Sequence, residues 1–533
     1  MVVAPDLVLD VSAVNENSLL DPVELPVLAD DLIVATKDSY HLLIQLFQKL
    51  PSMFTGTKTV ESAFGPALTA CISLLTPCGG KIIASVSSLP TVGDGKLQNR
   101  NDRKLYNQPK EHTMTLPNGD WYKQRSLACT QAQISVDLIV DGSSDVDLAS
   151  IATISRFTSG HIYRYSPQMV TAVKQQIERI LIRDTAFEAV LRVRTTTGII
   201  VPNYYGHCYM RGPDLLALPT CDTDTSYAVL LQLTATLQAP YAFVQTALLY
   251  TTRQRERRIR VHTIPMSVSN SIPKIFNSAD AIAMASVLSK MCIDYTASNP
   301  FQLSQQKITD KIVGALKIFR KNVGGNRYAN QLVLPESLKL LPYFMVGFFR
   351  CPATRSISSI DTSPDERVAS MSLMMTSPVD ATISHWVGWT FCVYTPRDAP
   401  EIPSLELSTA ESLKSDGIYV VDVGTSLVVW HGKGVDSRVL AEFGFDTHNS
   451  SLAADGAFTN DRDVADLAHR FQDILAKQQE LSSSAAYTPV LRCPQGSSAI
   501  EKQVGVALLE DDVKEAMSYP MYLAMLMRKA AAE

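Results

Sequence analysis

The sequence predicts a multidomain chain: an α/β region, then an all-β region, then an all-α region, then a second mixed region. Three observations predict this. Strand-like and helix-like stretches alternate through residues 1–183. Between 184 and 270, short alternating stretches follow one another with no helical period between them. From Ser278 the apolar spacing turns helical and holds to about Thr376. A chain of 533 residues has room for about three or four domains.

In the α/β region, "DSYHLLIQLFQKLPSMF" places Leu43, Leu46, Phe47 and Leu50 at helical spacing, with a stop expected at Pro51. "GPALTACISLL" reads as a second helix closed by the turn "TPCGG", and "KIIASVSSLP" as a strand. Gln133–Val140 is a further strand. "DLASIATISRFTSG" is a helix with Asp147 or a neighbour as its N-cap and Gly160 as its C-cap. "HIYRY" is a strand, and Ser166 followed by Pro167 reads as the start of another helix. Repeated strand–helix–strand units imply a mostly parallel sheet with helices on both faces.

The region 184–270 reads as a β-sandwich built from "FEAVLRVRTTTG", "YAVLLQLTATL", "AFVQTALLYTT" and "RRIRVHTIPMSV". The region 271–378 holds amphipathic helices, one carrying Ile308, Ile312, Leu316 and Phe319 on one face. In 379–490, the proline-rich "RDAPEIPSLEL" reads as a linker. Two strands then follow, joined at Val423–Gly424–Thr425, and later a long amphipathic helix and the flexible "SSSAAY". The last stretch, 491–533, reads as two helices broken at Tyr519–Pro520, with Met517, Met521, Met525 and Met527 expected in core packing rather than in a binding groove.

Composition bounds the chemistry. The net charge is -5 and the pI near 6.0, which argues against a dedicated nucleic-acid binder. The nine cysteines form no C-x-x-C pair and are expected to be reduced thiols in the cytosol. The N-terminus has no basic lead or apolar core of a signal peptide, and the most apolar stretch, Leu340–Phe349, is about half of a membrane span. Motifs for phosphate cradling, a nucleophile elbow or a zinc hydrolase are absent; "VGDGKL" is a loop, and Ser159 beside His161 is not expected to form a nucleophile–base pair. The carboxylates of Asp141–Asp147 suit helix capping better than a metal site.

One local feature stands against the acidic background. Arg253, Arg255, Arg257, Arg258 and Arg260 lie within eight residues with one glutamate, Glu256. If Ile259, Val261 and Thr263 face inward, then Arg258, Arg260 and His262 share the other face. A row of guanidiniums can hold carboxylates or phosphates, so these five arginines are the candidate contact for acidic peptides or anionic lipid. A solvated strand paired with Glu256 is the competing reading, and no aromatic stacking platform supports nucleic acid.

Six ordered blocks carry a resemblance over essentially the whole chain: "FGPALTACISLLTPCGGKI", "DLASIATISRFTSGHIYRY", "FEAVLRVRTTTG", "FVQTALLYTTRQRERRIRVHTIPMSV", "ESLKLLPYFMVGFF" and "DGIYVVDVGTSLVVWHGKG". Together they resemble the cargo-adaptor subunit of the COPII inner coat, the Sec twenty-four type. The resemblance implies a von Willebrand factor A-like trunk, a β-sandwich, a helical domain and a gelsolin-like domain. Trp430, Gly432, Lys433 and Gly434 match the W-x-G-K-G turn of the last of these. It implies a non-enzymatic protein, cytoplasmic and peripheral on endoplasmic reticulum membrane and COPII vesicles. The implied partners are the GTPase-activating sibling subunit, the coat's small GTPase, cytosolic tails of cargo and an anionic membrane surface, with no nucleic acid. Two competing readings are the sibling-type GTPase activator and a gelsolin-type actin binder. The family's zinc module and the first half of its trunk have no counterpart here, so the trunk is expected to be partial and no cofactor is expected. A truncated sequence and a genuine short form both fit that departure.

Overall fold

The computed structural model describes residues 32–142, 144–323, 334–355, 362–395, 404–443, 462–482, 486–497, 500–513 and 516–531. The N-terminal segment read for a signal peptide, residues 397–403 of the expected linker and residues 483–485 of the polar run lie outside the described residues.

The first region contains α1 (Tyr40–Met53), α2 (Phe64–Leu75), β1 (Gly80–Val86), α3 (Trp121–Gln131), β2 (Ile134–Val140), α4 (Leu148–Phe157), β3 (Ile162–Arg164) and α5 (Val170–Ile182). The three strands are parallel in the order β1-β2-β3. Every residue of β2 is buried, because helices cover both faces. Val136, Leu138 and Val140 pack with Leu68 of α2, Cys129 of α3 and Ile151 of α4. Ile139 packs on the other side with Ala172 and Ile180 of α5.

Four local expectations change. Helix α1 runs through Pro51 to Met53, at the cost of the one backbone bond that Pro51, lacking an N–H, cannot donate back to Phe47. Helix α5 starts at Val170 rather than after Ser166; Pro167 lies in the preceding turn. The left-handed residue closing α4 is Ser159, at φ 58°, rather than Gly160. Gly160 answers a different need: a Cβ there would sit 1.9 Å from the Val136 carbonyl oxygen. Asp147 occupies the N-cap position of α4 but its side chain accepts no helix amide. It is drawn off by Arg100, whose Nε donates to it at 3.0 Å, and Asp365, from a distant helix, accepts the Leu148 amide at 2.7 Å instead.

The second region is wholly antiparallel: β4 (Thr185–Thr195), β5 (Ile199–Tyr205), β6 (Tyr209–Gly212), β7 (Leu215–Asp222), β8 (Ala228–Leu233), β9 (Tyr241–Thr251) and β10 (Arg257–Ser267). One sheet has the order β10-β9-β4-β7-β6 and a second pairs β5 with β8. The helical region holds α6 (Ile272–Asn277), α7 (Ala281–Thr296), α8 (Phe301–Val323), α9 (Leu341–Arg350), α10 (Pro364–Thr376) and α11 (Val379–Ser384). Asp280 caps α7, accepting from the amides of Ile282 and Ala283.

The last region contains β11 (Thr390–Tyr394), β12 (Ser404–Leu405), β13 (Ile418–Asp422), β14 (Leu427–His431), α12 (Ser437–Glu442), α13 (Arg462–Ser482), β15 (Val490–Pro494), α14 (Ile500–Ala507) and α15 (Tyr519–Ala531). Its sheet runs β12-β11-β13-β14-β15, so the end of the expected linker is a short edge strand. Pro520 lies inside the first turn of α15 rather than breaking a helix. Tyr522, Leu526 and Ala530 join the core of the helical region. Of the four methionines expected in that core, Met525 packs against it, while Met517, Met521 and Met527 stand outside it, 41, 51 and 40% exposed.

Buried polar links tie these regions together. Arg183 bonds Asp137 of β2 at 2.9 Å and Asp222 of β7 at 3.1 Å. His161 meets Asp222 at 3.0 Å. Arg367 of α10 bonds Glu111 at 3.0 Å, both buried. Lys290 of α7, buried and with no carboxylate bonded to it among the described residues, donates to Ser226 Oγ and to the Met375 carbonyl, each at 2.9 Å.

Candidate functional site

The five arginines occupy the β9–β10 hairpin and the outer strand β10, which among the described residues pairs only with β9. They are not used alike. Arg253 Nη2 donates to the carbonyls of Leu181 and Arg183 at 2.9 and 2.7 Å, fastening the hairpin to the end of α5. Arg255 supplies the left-handed turn residue, at φ 64°. Arg257 Nη1 donates to Thr251 Oγ1 at 2.7 Å and to the Glu188 carbonyl at 3.0 Å. Arg258 pairs with Glu256, which raises its pKa. Arg260 is exposed and makes no hydrogen bond or ion pair with the described residues.

The expected inward face of β10 is not inward. Ile259 and Val261 are 65 and 50% exposed. Alternation places side chains on two faces, but burial needs a second layer packed against the face, and the described residues cover neither Ile259 nor Val261. Arg258 and Arg260 lie opposite Tyr250 and Leu248 in the ladder, so they do share one face.

The residues of the rejected motifs disperse. Asp147 goes to Arg100, Asp145 accepts from Asn101 at 2.6 Å, and His161 turns to Asp222. The nine cysteines are free thiols. Among the described residues no cluster of three or more His, Cys, Asp or Glu forms, and no helix is long and apolar enough to cross a membrane.

A second site arises where three regions meet. A cavity of about 470 Å³ opens beyond the carboxyl ends of β2 and β3, lined by Gly142 and residues 162–169. This is where open parallel sheets place ligands. Helix α10 walls it with Glu366, Ala369 and Leu373, the β13–β14 turn with Gly424 and Thr425, and the segment before β15 with Tyr487 and Pro489. Gln176 fixes that last wall: its Oε1 accepts from Tyr165 Oη at 2.9 Å and from the Tyr487 amide at 2.7 Å. Close approach shapes the floor, since a Cβ on Gly142 would lie 2.1 Å from the Ser87 carbonyl oxygen.

His385, at the end of α11, lines this cavity and is 8% exposed. Among the described residues neither ring nitrogen has a hydrogen-bond partner, and Arg164 Nε has none either. Burial pushes His385 down to about 4, so at neutral pH it offers one donor and one acceptor without charge. The cavity thus combines tyrosine and proline surfaces with one carboxylate, one guanidinium and a neutral imidazole. Among the described residues His385 bonds none of the surrounding hydroxyls. The arrangement suits recognition of a short polar and aromatic segment. Sequence reading missed His385 and Arg164, which lie 221 positions apart and carry no motif.

Comparison with known proteins follows this geometry. Residues 8–183 match the Sec23/Sec24 trunk domain, 186–269 the Sec23/Sec24 beta-sandwich domain and 280–384 the Sec23/Sec24 helical domain. The chain is 29% identical to human protein transport protein Sec24A over 512 residues, covering 93% of this chain and 46% of that protein. It is 35% identical to protein transport protein SEC24 A of Arabidopsis thaliana over 431 residues, covering 78% of this chain and 41% of that protein. The chain therefore spans about half the length of the curated relatives it matches. The crystal structure of the human COPII-coat protein Sec24c superposes with a TM-score of 0.83 at 23% identity, over 93% of this chain and 67% of that one.

Proposed function

Because the chain belongs to the Sec23/Sec24 family, we propose that it is a COPII coat component that selects cargo by capturing export signals. In this reading it is not an enzyme. It binds cytosolic tails of membrane cargo, pairs with the GTPase-activating sibling subunit and the coat's small GTPase, and lies peripherally on endoplasmic reticulum membrane in ER-to-Golgi transport. The domain limits at 183, 270, 378 and 490 and the lack of a cofactor or nucleic-acid partner belong to the same reading.

The observation that carries it is the three-region cavity, where the His385 ring nitrogens and Arg164 Nε have no partner among the described residues. Such a cavity can hold one signal weakly, and many copies on a coat sum by avidity. The exposed arginines of β10 support a second, electrostatic contact: each basic residue near an anionic surface gives about 1 kcal/mol. Arg258 and Arg260 carry that role, while Arg253 and Arg257 are already held by the protein.

The test is a binding measurement with a panel of fluorescent cargo-tail peptides. Thr425→Trp, which fills the cavity mouth, and Arg164→Glu should each weaken the peptides that bind by tenfold or more. Unchanged binding in both variants would remove the cavity from the mechanism.

A further inference from the structure

A smaller cavity, of about 260 Å³, lies between the first region and the helical region, walled by α3 and α4 from one and by α7 and α10 from the other. It stays below the roughly 300–1,000 Å³ of pockets that take drug-sized ligands, so it suits a smaller molecule. Its apolar lining includes Ile293 of α7 and Val368, Met371 and Met375 of α10, all buried. Ala149 and Ala152 of α4 also line it, and their small side chains leave the space open. Two thioethers favour an aromatic occupant, because sulfur makes favourable contacts with ring edges.

The hydroxyls of this cavity have committed their hydrogens. His207 lines it and is buried. Its Nδ1 lies 2.7 Å from the Gly160 carbonyl, which can only accept, so Nδ1 carries the hydrogen. Burial pushes the ring down to about 3, so Nε2 is a bare acceptor at neutral pH. Ser372 Oγ, 3.3 Å away, therefore donates to it. Thr296 Oγ1 donates to the Ile293 carbonyl at 2.6 Å, and Thr115 Oγ1 to the His112 carbonyl at 2.7 Å. Ser372, Thr296 and Thr115 all line the cavity, and a hydroxyl whose hydrogen is committed offers a ligand only lone pairs. Asp294 joins them from α7, half-buried, and its carboxylate has no hydrogen bond or ion pair among the described residues. These groups together call for a cationic hydrogen-bond donor. Lys123, Arg156 and Asp120 line the cavity as well, but they are exposed, where water and salt screen their charges.

We propose that this cavity binds a small primary ammonium ion with an aromatic body. The ammonium donates to Ser372 Oγ, Thr296 Oγ1 and the Asp294 carboxylate, the last a charge-assisted bond, and the ring lies against Met371 and Met375. A ligand so held touches both regions at once and acts as a clamp on their junction. Neither His385 nor Arg164 lines this cavity, and the proposal does not rest on the cargo-adaptor reading.

Calorimetric titration and thermal unfolding of the full chain test this with three probes that share one ring. These are phenethylammonium, its neutral isostere phenethyl alcohol, and phenylalanine, which adds a carboxylate. The amine should bind at least tenfold tighter than either of the others. It should also raise the unfolding midpoint, because it binds the folded chain alone. Asp294→Asn should weaken the amine tenfold or more and leave the midpoint of the unliganded chain unchanged. Ala152→Leu, which fills the cavity, should abolish binding, and Arg164→Glu should leave it unchanged. Equal binding of amine and alcohol, equal or tighter binding of phenylalanine, undiminished binding in Asp294→Asn, or no binding of the amine would overturn the proposal. So would loss of binding in Arg164→Glu, which would put the amine in the other cavity.

Discussion

Arg183 and Arg258 are the same residue type in opposite surroundings. Arg183 is buried between the parallel sheet and the sandwich, in contact with Asp137, Asp222 and the Tyr163 hydroxyl. Arg258 stands in solvent and its partner is a neighbour two positions away. The buried guanidinium is bound to fixed acceptors and sets how two regions meet. The exposed one is screened by water and salt, adds little to folding and stays available to a ligand. Charge in this chain is therefore structural where fixed acceptors from different regions converge, and available where they do not.

The largest effect should follow from breaking the buried side of this comparison. Arg183→Met leaves Asp137 and Asp222 short of a cation in a water-poor seam, at a cost of about 3–5 kcal/mol. Chemical unfolding should show it as a strong fall in midpoint; a change within error would mean that the seam is held by packing alone. The pH dependence follows from the same groups. Burial pushes both carboxyls up, but Lys81, His161 and Arg183 more than reverse this for Asp137, and His161, Arg183 and Lys81 do so for Asp222. Both therefore sit below the ordinary carboxylate value of about 4. Their stabilising contribution is present above that value and is lost as pH falls through the depressed folded values. Arg183→Met should flatten this acid limb.

A smaller effect is expected at the Asp365 cap, which joins α10 to α4 through the amides of Val146 and Leu148 at 2.5 and 2.7 Å. Asp365→Asn replaces one accepting oxygen by an amide that faces a donor. The buried amide left unpaired costs about 1–3 kcal/mol, read as a lower unfolding midpoint. An unchanged midpoint would assign the cap no energetic role.

Lys290 gives a gentler, pH-resolved test. Burial lowers its pKa to about 7, below its ordinary value near 10.4. Between those values the unfolded chain binds a proton that the folded chain does not, so stability should rise with pH across that window. Lys290→Met should remove the slope, and an unaltered slope would place its origin elsewhere.

What was legible in the sequence was local. Alternation and helical spacing predicted the order of α/β, all-β and all-α regions, and the β9–β10 hairpin was readable from its two strands. The arginine run was readable as charge, but not its use, because the carbonyls that hold Arg253 lie 70 and 72 positions away. The three-region cavity was invisible for the same reason: β3, α10 and the β13–β14 turn meet only after folding. The methionines at the C-terminus were readable in principle. Tyr522, Leu526 and Ala530 repeat every four residues and carry the buried stripe of α15, which leaves Met521 and Met527 off it.

The exposed side of the comparison should give the smallest change in folding and a clear change in binding. The double substitution Arg258→Glu with Arg260→Glu touches no buried group, so the unfolding midpoint should stay within error of the parent. Reversing two charges on one face of β10 should nonetheless lower binding to vesicles containing anionic phosphatidylserine by tenfold or more at low salt. The difference should shrink as added salt shortens the Debye length from about 30 Å at 0.01 M to about 8 Å at 0.15 M. Vesicle binding that ignores both the substitutions and salt would mean that the strand is only a solvated edge. A lowered unfolding midpoint would instead erase the distinction drawn between Arg183 and Arg258, because the exposed arginines would then be holding the fold.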